Sequence, residues 1–368
     1  MAVRTDGDGY AYALTRSDSE VGWRFDAAGP VRSALAVADS TVFAADTTGA
    51  FYAVDVQSGE AWWQTQDGSA TAGLGIVAAG DQVITISDGL SGFDVQTGAT
   101  QWSLDVGGRL ARTAVDGTVY IAPPTDGANV RAIDARTGDT RWSSAELDVC
   151  PSLEVAAPPV VAGDSVYVAR NAAGTGRIFA LDRSDGSQIW TTETEQELTS
   201  LAAGGDGVYY SQERFADSTV YALNGADGSV RWAFNLNERA PPWPDETHRV
   251  RSLTATEESV YAMSIERSEE ETEDPEYTGF LHAFDANGTR RWSLTIDSSS
   301  APVVDTAPVV DDTVFATGNR RLYAVNAADG SVVERVEPVV SKRSTPAVSG
   351  DSAFVGSDDE LLYRFRRP

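Results

Sequence analysis

The stretch Phe179-Ala180-Leu181-Asp182-Arg183-Ser184-Asp185-Gly186-Ser187-Gln188-Ile189-Trp190 runs from an apolar strand, through an Asp–Gly turn, into a tryptophan. The same phrase recurs as Tyr52-Ala53-Val54-Asp55 with Gly59 and Trp63, Gly92-Phe93-Asp94 with Gly98 and Trp102, and Ala132-Ile133-Asp134 with Gly138 and Trp142. Further copies are Tyr221-Ala222-Leu223-Asn224 with Gly228 and Trp232, and His282-Ala283-Phe284-Asp285 with Gly288 and Trp292. The interval from Asp or Asn to Trp is 8 in five copies and 7 in the copy ending at Trp292. Two partial copies flank them. Tyr12-Ala13-Leu14-Thr15 leads to Trp23 without the glycine, and Tyr323-Ala324-Val325-Asn326 leads past Gly330 to Glu334, where tryptophan is expected. Self-similarity at a period of about 40 residues decides the architecture ahead of any propensity argument.

Two more β-type runs precede each phrase, as in Val160-Val161 and Ser165-Val166-Tyr167-Val168-Ala169, separated by Ala162-Gly163-Asp164. Short β-branched and aromatic runs between Gly/Asp turn signals are the pattern of an all-β chain. One unit is therefore four short antiparallel strands, and their tandem repetition is a β-propeller. The closing Asp or Asn of the third strand can bond its own backbone two residues on and start the turn. The following Gly supplies positive φ. The tryptophan gives the outer strand a large apolar face to lay on a neighbouring blade. Trp23, Trp63, Trp102, Trp142, Trp190, Trp232 and Trp292 are thus expected as docking residues, with Glu334 marking a weak seam.

Strand pairs of the Val-Tyr-Val type end near Ala45, Ser87, Ala122, Ala169, Ser211, Ser264, Thr317 and Gly356. The expectation is one domain over residues 1–368, an eight-bladed β-propeller of four-stranded antiparallel blades, with seven blades as the alternative count. The C-terminal Leu361-Leu362-Tyr363-Arg364-Phe365 is a third strand with no tryptophan strand after it, while Gly22-Trp23-Arg24-Phe25 is a tryptophan strand. Closure is therefore expected by residues 21–26 pairing with the C-terminal blade 344–366. The strand Tyr10–Leu14 is left over in this scheme.

Charge is the second conspicuous feature. The chain carries 28 basic and 55 acidic residues, a formal net charge of −27, and Lys342 is its one lysine. A field of that sign opposes binding to nucleic acid or anionic lipid, and it suits high salt, where screening suppresses self-repulsion. No run approaches the roughly 18 apolar residues of a membrane helix. The first residues lack an apolar core and a small-residue cleavage site, so the reading is nominally cytoplasmic, with a cell-surface or secreted location as the alternative. Cys150, the one cysteine, is expected as a buried filler and excludes an internal disulfide framework.

The phrase resembles the PQQ-like (pyrroloquinoline-quinone-type) propeller repeat, with its Val-Tyr-Val-Gly strand followed by Leu-Tyr-Ala-Leu-Asp, Thr-Gly and Trp. The resemblance covers nearly the whole chain and implies one of two classes. Quinoprotein alcohol and sugar dehydrogenases bind the quinone and calcium at the ring centre, and several have a vicinal cysteine disulfide that one cysteine cannot form. Non-catalytic propellers, such as the propeller lipoprotein of the outer-membrane β-barrel assembly machinery, bind partner proteins. No stretch matches the calcium ligands or catalytic aspartate of the dehydrogenases, so the chain reads as a monomeric scaffold for a protein partner, with no cofactor.

Residues that could carry chemistry are few. His282 occupies a position held by Tyr in other copies, which favours packing. His248 lies beside Arg249 and Arg251 without metal-ligand spacing. No Gly-x-Ser-x-Gly elbow, Walker motif or dinucleotide glycine motif is present. The longest spacing, from Trp232 to Trp292, contains Pro241-Pro242-Trp243 and the acidic run Glu266–Glu276. Pro241, Pro242, Trp243 and His248 are the candidate partner contacts, since long loops on a rigid scaffold carry recognition. Arg32, Arg109, Arg249, Arg251, Lys342 and Arg343 precede the innermost strands of several units, a pattern that would gather cations at one mouth of the channel and bind a small anion.

Overall fold

The computed structural model describes residues 2–5, 10–14, 21–26, 28, 36–38, 40–45, 48–66, 75–86, 89–106, 111–122, 130–145, 147, 154–172, 174–214, 217–236, 248–267, 277–299, 309–310, 312–317, 322–336, 347–349, 352–356 and 361–366. Every regular element among them is a β-strand. The N-terminal segment forms β1 (Ala2–Thr5), β2 (Tyr10–Leu14) and β3 (Val21–Asp26). Blade 1 is β4 (Ala36–Ala38), β5 (Thr41–Ala45), β6 (Ala50–Asp55) and β7 (Ala61–Gln66). Blade 2 is β8 (Gly75–Ala79), β9 (Gln82–Ile86), β10 (Gly89–Asp94) and β11 (Thr100–Asp105). Blade 3 is β12 (Ala111–Val115), β13 (Thr118–Ala122), β14 (Arg131–Asp134) and β15 (Thr140–Ser143). Blade 4 is β16 (Glu154–Val155), β17 (Val160–Ala162), β18 (Ser165–Ala172), β19 (Thr175–Asp182) and β20 (Gln188–Thr194). Blade 5 is β21 (Leu198–Gly204), β22 (Gly207–Arg214), β23 (Asp217–Asn224) and β24 (Val230–Asn235). Blade 6 is β25 (His248–Ala255), β26 (Ser259–Arg267), β27 (Tyr277–Asp285) and β28 (Arg290–Ser299). Blade 7 is β29 (Val309–Val310), β30 (Thr313–Thr317), β31 (Leu322–Asn326) and β32 (Val332–Val336), followed by β33 (Ala347–Ser349), β34 (Ser352–Gly356) and β35 (Leu361–Arg366).

Seven antiparallel sheets are each cut from one continuous stretch, and an eighth combines the two ends in the order β3-β2-β1-β35-β34-β33. The end sheet differs from the expectation drawn from residues 21–26. The strand seated on β35 is β1, through Val3–Leu362 and Arg4–Leu361, while β3 sits two strands further out. β1, β2 and β3 form their own meander, whose two edges belong to β1 and β3, and it is the β1 edge that meets β35. The leftover Tyr10–Leu14 strand is the middle of that meander.

The middle strands of a blade are covered on both faces, and their sequences are correspondingly apolar throughout. All five residues of β5 and all five of β13 are buried. Outer strands alternate, with β15 burying Trp142 alone of its four residues. The core consequently lies between blades. One cluster joins Phe43, Phe51 and Trp63 of blade 1 to Ile76, Val83 and Phe93 of blade 2, and equivalent clusters bridge blades 2–3, 3–4, 4–5, 5–6 and 6–7.

Each described seam is closed by the same device. The indole of Trp102 lies against Gly138 of the next blade, so closely that a methyl there would fall 2.5 Å from the ring. Trp63, Trp142, Trp190, Trp232 and Trp292 lie likewise against Gly98, Gly186, Gly228, Gly288 and Gly330. All six glycines have positive φ, so the turn needs glycine for its backbone and again for the contact. Indole Nε1 then donates across the seam to a turn carbonyl: Trp63 to Val95 at 2.7 Å, Trp142 to Arg183 at 2.8 Å and Trp190 to Gly225 at 2.8 Å. All but Trp102 are backed within their own blades by the aromatic of the second strand, as in Tyr167–Trp190 at 5.8 Å and Tyr261–Trp292 at 6.0 Å.

Truncation of Trp190, 8% exposed, removes both the burial and the hydrogen bond. Trp190→Ala is expected to cost about 3–5 kcal/mol. Trp62→Ala, at a side chain 50% exposed beside the docking Trp63 on β7, should cost no more than about 0.5 kcal/mol. Urea unfolding measures both, and equal losses would refute the docking assignment.

Candidate functional site

In five blades the residue that follows the Asp or Asn of the phrase serves two blades at once. Its N–H donates to the carbonyl of the hairpin turn joining the first two strands of its own blade: Val95 to Asp81, Ala135 to Gly117, Arg183 to Asp164, Gly225 to Asp206 and Ala327 to Asp312. Its C=O accepts the tryptophan of the preceding blade. The Asp or Asn before it holds the turn, with Asp94 Oδ1 accepting from the backbone of Gln96 and Thr97 and from the Thr97 hydroxyl. These bonds keep the carboxyl of Asp94 below its ordinary value, led by the Thr97 hydroxyl. The backbone N–H of Ser58 does the same for Asp55.

At the seam of blades 3 and 4 this socket widens into a cleft of about 590 Å³, lined by Asp116, Thr118, Tyr120, Arg141, Trp142, Asp164, Asp182, Arg183 and Ser184. Arg183 fills the socket position that holds Val, Ala or Gly in the other blades. Its guanidinium crosses the seam, with Nε donating to the Tyr120 hydroxyl at 3.0 Å and Nη2 to Asp116 Oδ2 at 2.7 Å. Asp116 and then Tyr120 hold the Arg183 pKa above its ordinary value. Asp116 itself adopts φ +48° beside Gly117, the left-handed geometry of a two-residue hairpin turn that Asp tolerates. Arg141 is fixed by Asp134 Oδ2 at 2.8 Å and by the Thr118 hydroxyl at 2.7 Å. Two guanidiniums held by hydrogen bonds face carboxylates across a polar cleft. That lining can hydrogen-bond a charged or polar surface, and its serine, Ser184, gives its hydroxyl to the turn carboxylate of Asp182.

Of the residues singled out from sequence, Arg249 and Arg251 are exposed on the innermost strand β25, where a bulge between Val250 and Ser252 leaves Arg251 outside the register. His248 begins the same strand, opposite Glu266. Arg32, Arg109, Lys342, Arg343, Pro241, Pro242, Trp243 and Cys150 lie outside the described residues, as do the side chains of Trp23 and His248. His282 is buried, with its ring nitrogens 2.9 Å from the Ser264 hydroxyl and 2.8 Å from that of Ser293. The cleft escaped the sequence reading. Its signal was present as a charged residue in a column that is small or aliphatic in the other six contiguous blades, but the Asp116 and Tyr120 that it meets lie more than sixty residues away.

The fold and its repeated socket define a PQQ-like β-propeller. The chain belongs to the family described as outer membrane protein assembly factor BamB, whose model matches residues 1–125 and 126–368. Its structure is similar to that of BamB from Moraxella catarrhalis, at 17% identity and a TM-score of 0.56 over 100% of this chain and 91% of that one. It is also similar to a quinohemoprotein alcohol dehydrogenase from Pseudomonas putida HK5, at 14% identity and a TM-score of 0.59 over 97% and 71%. Among curated proteins, the serine/threonine-protein kinase AfsK of Streptomyces griseus is 30% identical over 168 residues, 42% of this chain and 20% of the kinase. The chain thus matches about a fifth of that relative's length. Among the described residues no helix is long and apolar enough to cross a membrane.

Acid should weaken the Asp turns. Folding lowers the pKa of Asp55, Asp94, Asp182 and Asp285 from 3.8. Their stabilisation is therefore complete above that value and is lost as pH falls through the lower folded values. Asparagine already holds this turn at Asn224 and Asn326. Asp55→Asn/Asp94→Asn should accordingly melt near the wild-type temperature at neutral pH and lose less between about pH 4 and pH 2. An unchanged acid profile would contradict the role given to these carboxylates.

Proposed function

We propose that this chain is a non-catalytic propeller scaffold that binds a protein partner. The observation that carries this reading is the match of the whole chain to the assembly-factor family. The use of side-chain chemistry agrees with it. The repeated Asp, Gly and Trp are spent on turns and seams, and among the described residues no group of three His, Cys, Asp or Glu could hold a metal ion. The rival reading is a quinone- and calcium-dependent oxidoreductase. Calcium takes oxygen ligands, carboxylates foremost; residues 76–79, 113–115, 160–162, 198–204 and 249–255 of the innermost strands contain no carboxylate, and β16 contributes one, Glu154. That donor set does not favour the dehydrogenase reading. The partner surface would be sought first in the loop holding Pro241, Pro242 and Trp243 and in the cleft around Arg183.

The test pairs two measurements on the same preparation. Reconstitution with calcium and quinone followed by a dye-linked alcohol or sugar oxidation assay should give no turnover. Immobilised protein should retain a stoichiometric protein partner, and Trp243→Ala or Asp116→Ala/Arg183→Ala should weaken its retention at least about tenfold, the loss of a central contact. Saturable quinone-dependent turnover would overturn the reading.

A second reading, a small-anion site at the channel mouth, is favoured by the two exposed arginines of β25. Sulfate should then raise the melting temperature by mass action, beyond chloride at equal ionic strength, and the excess should vanish in Arg249→Ala/Arg251→Ala. Equal responses of the two proteins would return both arginines to ordinary surface pairing.

A further inference from the structure

We infer that two carboxylates of blade 4, Asp164 and Asp182, form a seat on the cleft for an arginine side chain of the protein partner. The inference rests on the reading of this chain as a partner-binding scaffold. Its origin is one ladder position. The register shift between third and fourth strands leaves one residue of the fourth strand out of the ladder, just before the docking tryptophan. In blades 3, 5 and 6 that residue is arginine: Arg141, Arg231 and Arg291. Each reaches back into its own blade. Arg231 grips Asp206, in the hairpin between the first two strands, with Nη1 donating to Oδ1 at 2.7 Å and Nη2 to Oδ2. Arg141 grips Asp134, at the end of the third strand, with Nε and Nη2 donating to Oδ2 at 3.2 and 2.8 Å. Arg291 donates to the hydroxyl of Ser259, the first residue of the second strand, at 3.2 Å.

Blade 4 has both kinds of carboxylate and a different residue before its tryptophan. Asp164 stands where Asp206 does: its carbonyl takes the N–H of Arg183 as that of Asp206 takes the N–H of Gly225. Asp182 ends the third strand as Asp134 does. The residue before Trp190 is Ile189, 46% exposed, and its aliphatic side chain can donate to neither. Among the seven contiguous blades, blade 4 alone joins aspartate at both positions to an apolar residue at the third.

Both carboxylates line the cleft of about 590 Å³. The guanidiniums beside them are committed elsewhere, Arg183 to Asp116 and Arg141 to Asp134. Asp182 Oδ1 accepts from the N–H and the hydroxyl of Ser184, and among the described residues neither Asp164 nor Asp182 has an ion pair. Two carboxylates in one cleft favour a ligand that brings a positive charge. A guanidinium suits them better than an ammonium, because its planar fork of donors can serve two acceptors at once. The partner's arginine thus makes from outside the contact that blades 3 and 5 make with arginines of their own.

A blocked tripeptide, acetyl-Gly-Arg-Gly-amide, tests the seat, with the citrulline peptide as its uncharged control. Titrations at fixed ionic strength are followed through the backbone amide signals of Ser184 and Ile189. The arginine peptide should bind saturably, and the citrulline peptide at least about tenfold more weakly. Asp164→Asn/Asp182→Asn should weaken the arginine peptide at least about tenfold and leaves the rest of the acidic surface in place, which separates the seat from general attraction to a negative chain. Ile189→Arg should fill the seat from within, abolish the saturable response and weaken retention of the protein partner. Asparagine already holds the third-strand turn at Asn224; should the double variant still not fold, Asp164→Asn alone, at an exposed turn, should show the loss. Equal binding of the two peptides, or arginine binding undiminished by the Asp variants or by Ile189→Arg, would each overturn the proposal. A protein partner retained equally by wild type and Ile189→Arg would overturn the seat and leave the scaffold reading standing. Saturable arginine binding with no protein retained would uphold the seat and remove the scaffold reading.

Discussion

An indole laid on a glycine turn, with its N–H given to the carbonyl beside that turn, is the contact on which the rest of this ring depends. A four-stranded blade has two apolar faces and cannot bury either by itself. The tryptophan crosses from the outer strand of one blade to the turn of the next, where the absent Cβ leaves room for the ring. Burying such a side chain removes on the order of 150–250 Å² from water, and the hydrogen bond fixes where on the neighbour it rests. The direction of docking is the same at all six described seams, so the blades follow one another with one sense around the ring.

The socket also explains why the turn is so uniform. One residue gives its N–H to its own blade and its C=O to the neighbour, while the Asp or Asn before it fastens the loop. Three polar demands are met by backbone and one short side chain. The side chain of the socket residue itself remains uncommitted in most blades, which is why Val, Ala and Gly interchange there. Blade 4 uses that freedom. Arg183 keeps both backbone bonds and sends its guanidinium back across the seam to Asp116 and Tyr120, and the cleft is the space around this clasp.

Such a scaffold separates stability from recognition. The repeated residues are consumed in seams and turns, and what distinguishes one blade from another sits in exceptional positions: the clasp at Arg183, the exposed arginines of β25, and Glu334.

The recurrence of Asp, Gly and Trp at nearly fixed spacing was enough, without coordinates, to determine the four-stranded unit, the turn chemistry and the docking role of the tryptophans. Those features are set by contacts within a unit and by one rule of contact between units, and a repeated sequence states both many times. What only the tertiary structure decided is what each unit meets across space. Nothing local to Arg183 indicates Asp116, which approaches because two blades are stacked. Nothing in the phrase Gly22-Trp23-Arg24-Phe25 shows that β1, not β3, would face β35, because both are edges of one meander and the phrase is the same whichever edge is paired. Pairing within a blade is written in the period of the chain; pairing between its distant parts is settled by which of their edges meet in space.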